Sequence, residues 1–121
     1  MLLSLALLLA FSQPNRIDSV VCVAPTLPDS EPTIEITVSS PRAFPVRDQL
    51  VVLKIGSVTS LRSRYPDGSD LHSLIFSLTP DEFGQVNDGD PVVIQYGVDE
   101  SVPPSDSWFF EPFDASLAAP C

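Results

Sequence analysis

The chain has 121 residues, 44% of them hydrophobic, with 6 basic and 16 acidic residues, 13 prolines, two cysteines and one histidine. That length holds one domain of ordinary size. A net charge of −10 argues against binding to a nucleic-acid backbone or an anionic membrane surface, since both attract Lys and Arg. The hydrophobic share excludes a globally disordered chain.

Residues 1–11, MLLSLALLLAF, form an uncharged apolar run that gives way abruptly to Ser12-Gln13-Pro14-Asn15-Arg16. A bilayer span needs about 20 residues, so the run is too short for one, but it fits the core of a signal peptide. Ala10 and Ser12 are small residues at the positions a signal peptidase reads, which predicts a leader over 1–12 with cleavage before Gln13. No Lys or Arg precedes the run, a departure from the usual leader, and a buried amino-terminal helix is the competing reading. The secretory reading places the mature chain in a secreted, periplasmic or extracellular compartment, with no membrane span left in it.

Residues 13–32 form a proline-rich amino-terminal segment. Pro25, Pro28 and Pro32 fall within APTLPDSEPT and favour an extended connector. Ahead of them, Ile17–Val23 is expected as an additional edge strand if Cys22 is tied down. The only other cysteine is Cys121, and an even count in an exported chain predicts that Cys22 and Cys121 pair. The bridge would close a loop of roughly 100 residues, for which chain entropy gives about 4–5 kcal/mol of stabilisation. The pair lacks the CxxC spacing of redox chemistry, so a tether is the expected role, within one chain or between two.

The body of the chain, residues 33–114, alternates with period two. Ile34, Ile36 and Val38 share a face, as do Val51, Leu53 and Ile55, then Leu74, Phe76 and Leu78, then Val92, Ile94 and Tyr96. Such alternation marks strands with one buried and one wet face, the habit of antiparallel sheets. A further strand is predicted over Val58–Arg64, joined by the turn Tyr65-Pro66-Asp67-Gly68 to the strand that starts near Leu71. Thr79-Pro80-Asp81-Glu82 reads as a capping box with proline at the first helical position. Gly84 stops that helix early, so one helical turn is expected near 80–86, with Phe83 and Val86 packing inward. Asn87-Asp88-Gly89-Asp90 is a second turn. About six or seven short strands with turns between them predict an all-β fold, a small antiparallel β-sandwich of immunoglobulin-like architecture. The Cys–Trp–Cys spacing of true immunoglobulin domains is absent, so the likeness is one of architecture alone. Residues 115–121 are expected as a tail ending in Cys121.

Catalytic patterns are sparse. His72 is the one histidine, and on a strand its immediate neighbour Ser73 points to the opposite face, so Asp70, His72 and Ser73 do not make a relay. No GxSxG elbow, zinc-ligand spacing or phosphate loop occurs. Asp67, Asp70, Asp88 and Asp90 lie in two oxygen-rich turns and are the candidate ligands for calcium, although Asp-Gly pairs are also ordinary turn chemistry and no EF-hand spacing is present. Trp108-Phe109-Phe110-Glu111-Pro112-Phe113 is the densest aromatic run. Trp108 and Phe110 offer either a ligand platform or the last strand closing the core. All six basic residues precede residue 65, whereas eleven acidic and no basic residues follow residue 64, giving either an acidic docking surface or simple solubility.

These patterns predict a secreted, non-catalytic module for binding, adhesion or structure, monomeric, with an extracellular protein or glycan as partner and no nucleic acid. The runner-up is a calcium-dependent extracellular module using the acidic turns. A small secreted hydrolase comes third.

Overall fold

The structure, a computed structural model, describes residues 15–44, 51–60, 63–64, 71–97 and 106–117. In chain order the elements are β1 (Arg16–Val23), β2 (Thr33–Ser39), β3 (Val51–Ile55), β4 (Val58–Ser60), β5 (Ser63–Arg64), β6 (Ser73–Leu78), the helical turn α1 (Pro80–Phe83), β7 (Val92–Tyr96) and β8 (Asp106–Phe109), followed by a 3-10 turn at Ala115–Leu117. The strands form two four-stranded sheets, ordered β1-β2-β6-β5 and β4-β3-β7-β8. Every pairing within them is antiparallel. The chain is therefore all-β.

The alternating side chains meet rung by rung. In the first sheet Ile34 faces Leu78, Ile36 faces Phe76 and Val38 faces Leu74, and all six are buried. In the second, Leu53 faces Ile94, Ile55 faces Val92 and Ile94 faces Trp108. Inward residues of both sheets join in one hydrophobic cluster. Burying one such side chain fully contributes about 1.5–3 kcal/mol, which explains why a one-residue slip of any strand is strongly disfavoured. Ser60 is one of two buried serines among the described residues. Its hydroxyl donates to the Ser77 carbonyl at 2.8 Å, tying β4 of one sheet to β6 of the other and satisfying a group that would cost about 1–3 kcal/mol if left unpaired.

The expected single strand over Val58–Arg64 is instead two. Ser60 pairs with Leu53 in the second sheet, while Ser63 pairs with Phe76 in the first. The two pieces follow a tight hairpin in which only Gly56 and Ser57, with Gly56 at φ 59°, join β3 to β4. β5 and β6 are antiparallel neighbours as expected, and the turn at 65–68 lies outside the described residues.

α1 has the predicted chemistry. The Glu82 N–H donates to the Thr79 hydroxyl at 3.1 Å, and the Thr79 N–H donates to the Glu82 carboxylate at 2.8 Å. Pro80 opens the helix and Gly84 closes it. Phe83 and Val86 rest half-buried on the core. Upstream, Arg16–Val23 pairs with β2 along its length, with one irregularity between Ile17 and Ser19, so the hydrogen-bonded body extends ahead of residue 33.

Candidate functional site

The aromatic run divides according to the pleat of β8. Trp108 points inward and is 4% exposed, whereas Phe109 points outward and is 75% exposed. Trp108 lies at the centre of an aromatic cluster. Phe44 stacks on it at 4.8 Å, Tyr96 stands 6.2 Å away, and Phe110 is 6.4 Å from Phe44. The Arg42 guanidinium lies 3.8 Å from the Trp108 ring centroid, a cation–π contact worth about 0.5–1 kcal/mol near a surface. Of the two platform residues read from the sequence, Trp108 thus packs inside and Phe110 is half-buried. The exposed aromatic is their neighbour Phe109.

Phe109 is held on a fixed stretch of backbone. The Asn15 side chain donates to the Phe109 carbonyl at 2.9 Å, and the Glu111 N–H donates to the Asn15 carbonyl at 3.0 Å. On the outer face of the second sheet, Lys54 faces Val93 and Val93 faces Phe109. With neighbouring strands about 4.8 Å apart, this row sets a cation, an aliphatic residue and an aromatic in line. Strict alternation from a buried Trp108 is the sequence signal for an outward Phe109. Phe44 had no such signal, because it follows Pro41-Arg42-Ala43 outside any periodic segment.

The candidate calcium ligands are placed unequally. Asp67 and Asp70 lie outside the described residues. Asp88 accepts the Ala115 N–H at 2.9 Å, and Asp90 accepts the Asn87 N–H at 2.9 Å, so both carboxylates serve as caps for turn backbone. Among the described residues, no group of three or more acidic, histidine or cysteine side chains is gathered for a metal ion. Close by, Asp114 accepts from both the hydroxyl and the N–H of Ser116, at 2.7 and 2.9 Å. These bonds, the hydroxyl's first, hold the Asp114 carboxyl below its ordinary range.

His72 is exposed at the start of β6, and its Nδ1 donates to the Ser40 carbonyl at 3.0 Å. Asp70 lies outside the described residues. Cys22 lies on β1 opposite Ile34, half-buried against the core, and there is no free cysteine among the described residues. Cys121 is outside them. Among the described residues no helix is long and apolar enough to cross a membrane. Comparison of the chain with protein-family models, curated proteins and solved structures finds no match.

Proposed function

We propose that this chain is a secreted, non-catalytic binding module built as an immunoglobulin-like β-sandwich, which engages an extracellular protein or glycan through the β8 face around Phe109. The observation that carries the binding role is the 75% exposure of Phe109 on a strand whose backbone is fixed from both sides. An aromatic held on a fixed backbone loses little conformational freedom on binding, and aromatics dominate interface energetics when they become covered. The architecture draws support from strand order. Lettered A, B, C, C′, D, E, F and G along the chain, the strands read A-B-E-D and C′-C-F-G, the arrangement of immunoglobulin-like sandwiches. The parallel bridge between Asn15 and Phe110 joins the first and last strands. The Cys22–Cys121 bridge is part of the same reading, supported by the absence of a free thiol at Cys22.

The test is direct. The immobilised mature chain is offered an array of glycans and a set of purified extracellular proteins, beside its Phe109→Ser variant. A ligand retained by the parent and lost at least tenfold by a variant with an unchanged melting curve is the expected result. Equal retention by both removes Phe109 from the site. The calcium reading is tested on the same sample: a rise in melting midpoint at millimolar calcium, as binding to the native state requires, would favour it.

A further inference from the structure

On the outer face of the second sheet one row of side chains runs through all four strands. Thr59 faces Lys54, Lys54 faces Val93, and Val93 faces Phe109. Their neighbours Leu53, Ile55, Ile94 and Trp108 enter the core, which turns these four the other way. Thr59 and Phe109 are exposed at the two ends, and Lys54 and Val93 are half-buried between them. The adjoining row is Val52, Gln95 and Ser107. Val52 is 1% exposed and closed to a ligand, so the accessible line follows Lys54.

Lys54 is the only lysine in the chain. In the two rows just described it is also the only charged side chain, with no carboxylate beside it. Among the described residues the one ion pair joins Arg16 to Asp18, so none of them neutralises Lys54. In a chain of net charge −10, a face with one cation and no acid is set apart, and it fits an anion. Lys54 and Phe109 are two strands apart, about 10 Å between backbones. The lysine stem is long and flexible, and the short Val93 side chain leaves it room to lean towards the aromatic ring. The matching ligand has an apolar ring face with a negative charge on its rim.

We propose that this row binds a uronate residue within a polysaccharide chain. The inference rests on the binding role of Phe109 proposed above and names what is bound there. The C–H face of the sugar ring stacks on Phe109, and the ring carboxylate accepts a charge-assisted hydrogen bond from the Lys54 ammonium. Three observations favour a sugar over an acidic peptide. Around Phe109 the face offers Thr59, Gln95 and Ser107, neutral hydrogen-bonding groups, where the centre of a protein interface is apolar. The β8 edge beside Phe109 is already bonded to Asn15, so a peptide cannot extend the sheet at that point. The row also runs from one outermost strand to the other, which suits a residue inside a polymer that continues on both sides.

The experiment measures binding of the mature chain to oligogalacturonate, to the same oligomers with their carboxylates reduced to alcohols, and to polyglutamate. Oligogalacturonate should bind at least fivefold more tightly than the reduced oligomers, and added salt should narrow the difference. Lys54→Gln should erase that difference and Lys54→Arg should keep it. Phe109→Ser should lose both sugars, and all three variants should keep the parent's melting curve. Reductive methylation with labelled formaldehyde preserves the lysine charge and gives one lysine NMR signal, which oligogalacturonate should shift. Equal binding of charged and reduced sugars overturns the uronate assignment, while the role of Phe109 stands if Phe109→Ser still loses both. If neither sugar binds but Phe109→Ser loses a protein ligand, the uronate assignment again falls alone. Loss through Lys54→Gln with none through Phe109→Ser overturns both readings. Tighter binding of polyglutamate than of oligogalacturonate overturns the sugar in favour of an acidic peptide. A lysine signal that stays in place at saturating oligogalacturonate puts the sugar elsewhere and overturns the proposal.

Discussion

At Gly56 the backbone takes a φ of 59°, and an added Cβ would stand 2.6 Å from the Asp90 carboxylate. Two effects therefore add in Gly56→Ala. The left-handed conformation costs an L-residue about 1–2 kcal/mol, and Asp90 must move, loosening its bond to the Asn87 N–H. A loss of about 2–3 kcal/mol is expected, and each kcal/mol lowers the melting midpoint by about 4–8 °C in a domain of this size. Gly89 is the control, since it has φ 83° but open space where its Cβ would go, so Gly89→Ala should cost clearly less. Equal melting shifts would show that Asp90 yields freely. Asp114 sets a different test. Its folded carboxyl is held below its ordinary range by the Ser116 hydroxyl and then by the Ser116 N–H. Its contribution to stability is therefore present above the unfolded pKa and is lost as pH falls through the lowered folded value. The carboxylate is fully exposed, so the effect on unfolding is small, and the readout is an NMR titration. Ser116→Ala should move the Asp114 midpoint upward, towards the ordinary carboxylate range.

Among the elements, α1 depends most on its cap. Four residues cannot sustain a helix on propensity, because nucleation is unfavourable and only later residues repay it. The reciprocal bonds of Thr79 and Glu82 and the half-buried Phe83 supply what length does not. Thr79→Ala should destabilise the chain by about 0.5–2 kcal/mol, measurable by urea unfolding as a lower midpoint at unchanged slope. A neutral result would mean that the Phe83 contact with Phe113, edge-on at 5.9 Å, holds the turn alone. This element was fully legible in the sequence because capping is local chemistry read within four residues. The four principal strands were legible for a related reason: one wet face imposes a period of two. The run Val58–Arg64 was not, because a switch between sheets leaves no trace in alternation. Both halves still alternate, and only the partner changes.

For the molecule as a whole, the sequence carried the fold class and left the pairing of strands open, apart from the neighbours β5 and β6. Alternation states that a strand has an inside, but not which strand lies beside it. Candidate sites followed the same division. The aromatic run at 108–113 was visible, and the choice between platform and core needed the third dimension: Arg42 and Phe44, more than sixty positions upstream, come to rest on Trp108. The acidic turn was visible too. That Asp88 caps the distant Ala115 N–H was not, since the bond joins segments with no shared pattern. The tail offered the least signal of all. Its short run ASL has no periodicity, and its place against β1 follows from where Phe113 and Asp114 have already carried the chain.

The order of the two sheets has a consequence for how the chain reaches its native state. β2 must wait for β6, which follows β3, β4 and β5 in the chain. β3 in turn pairs with β7, on the far side of the helical turn. No contiguous half of the chain can complete a sheet, so closure of long loops precedes most of the stabilising contacts, and such topologies fold on the millisecond-to-second scale and not in microseconds. A chain emerging progressively, whether from a ribosome or across a membrane, would remain without a finished sheet until β6 had appeared. During that interval its apolar strands depend on their interspersed charges and prolines to stay apart.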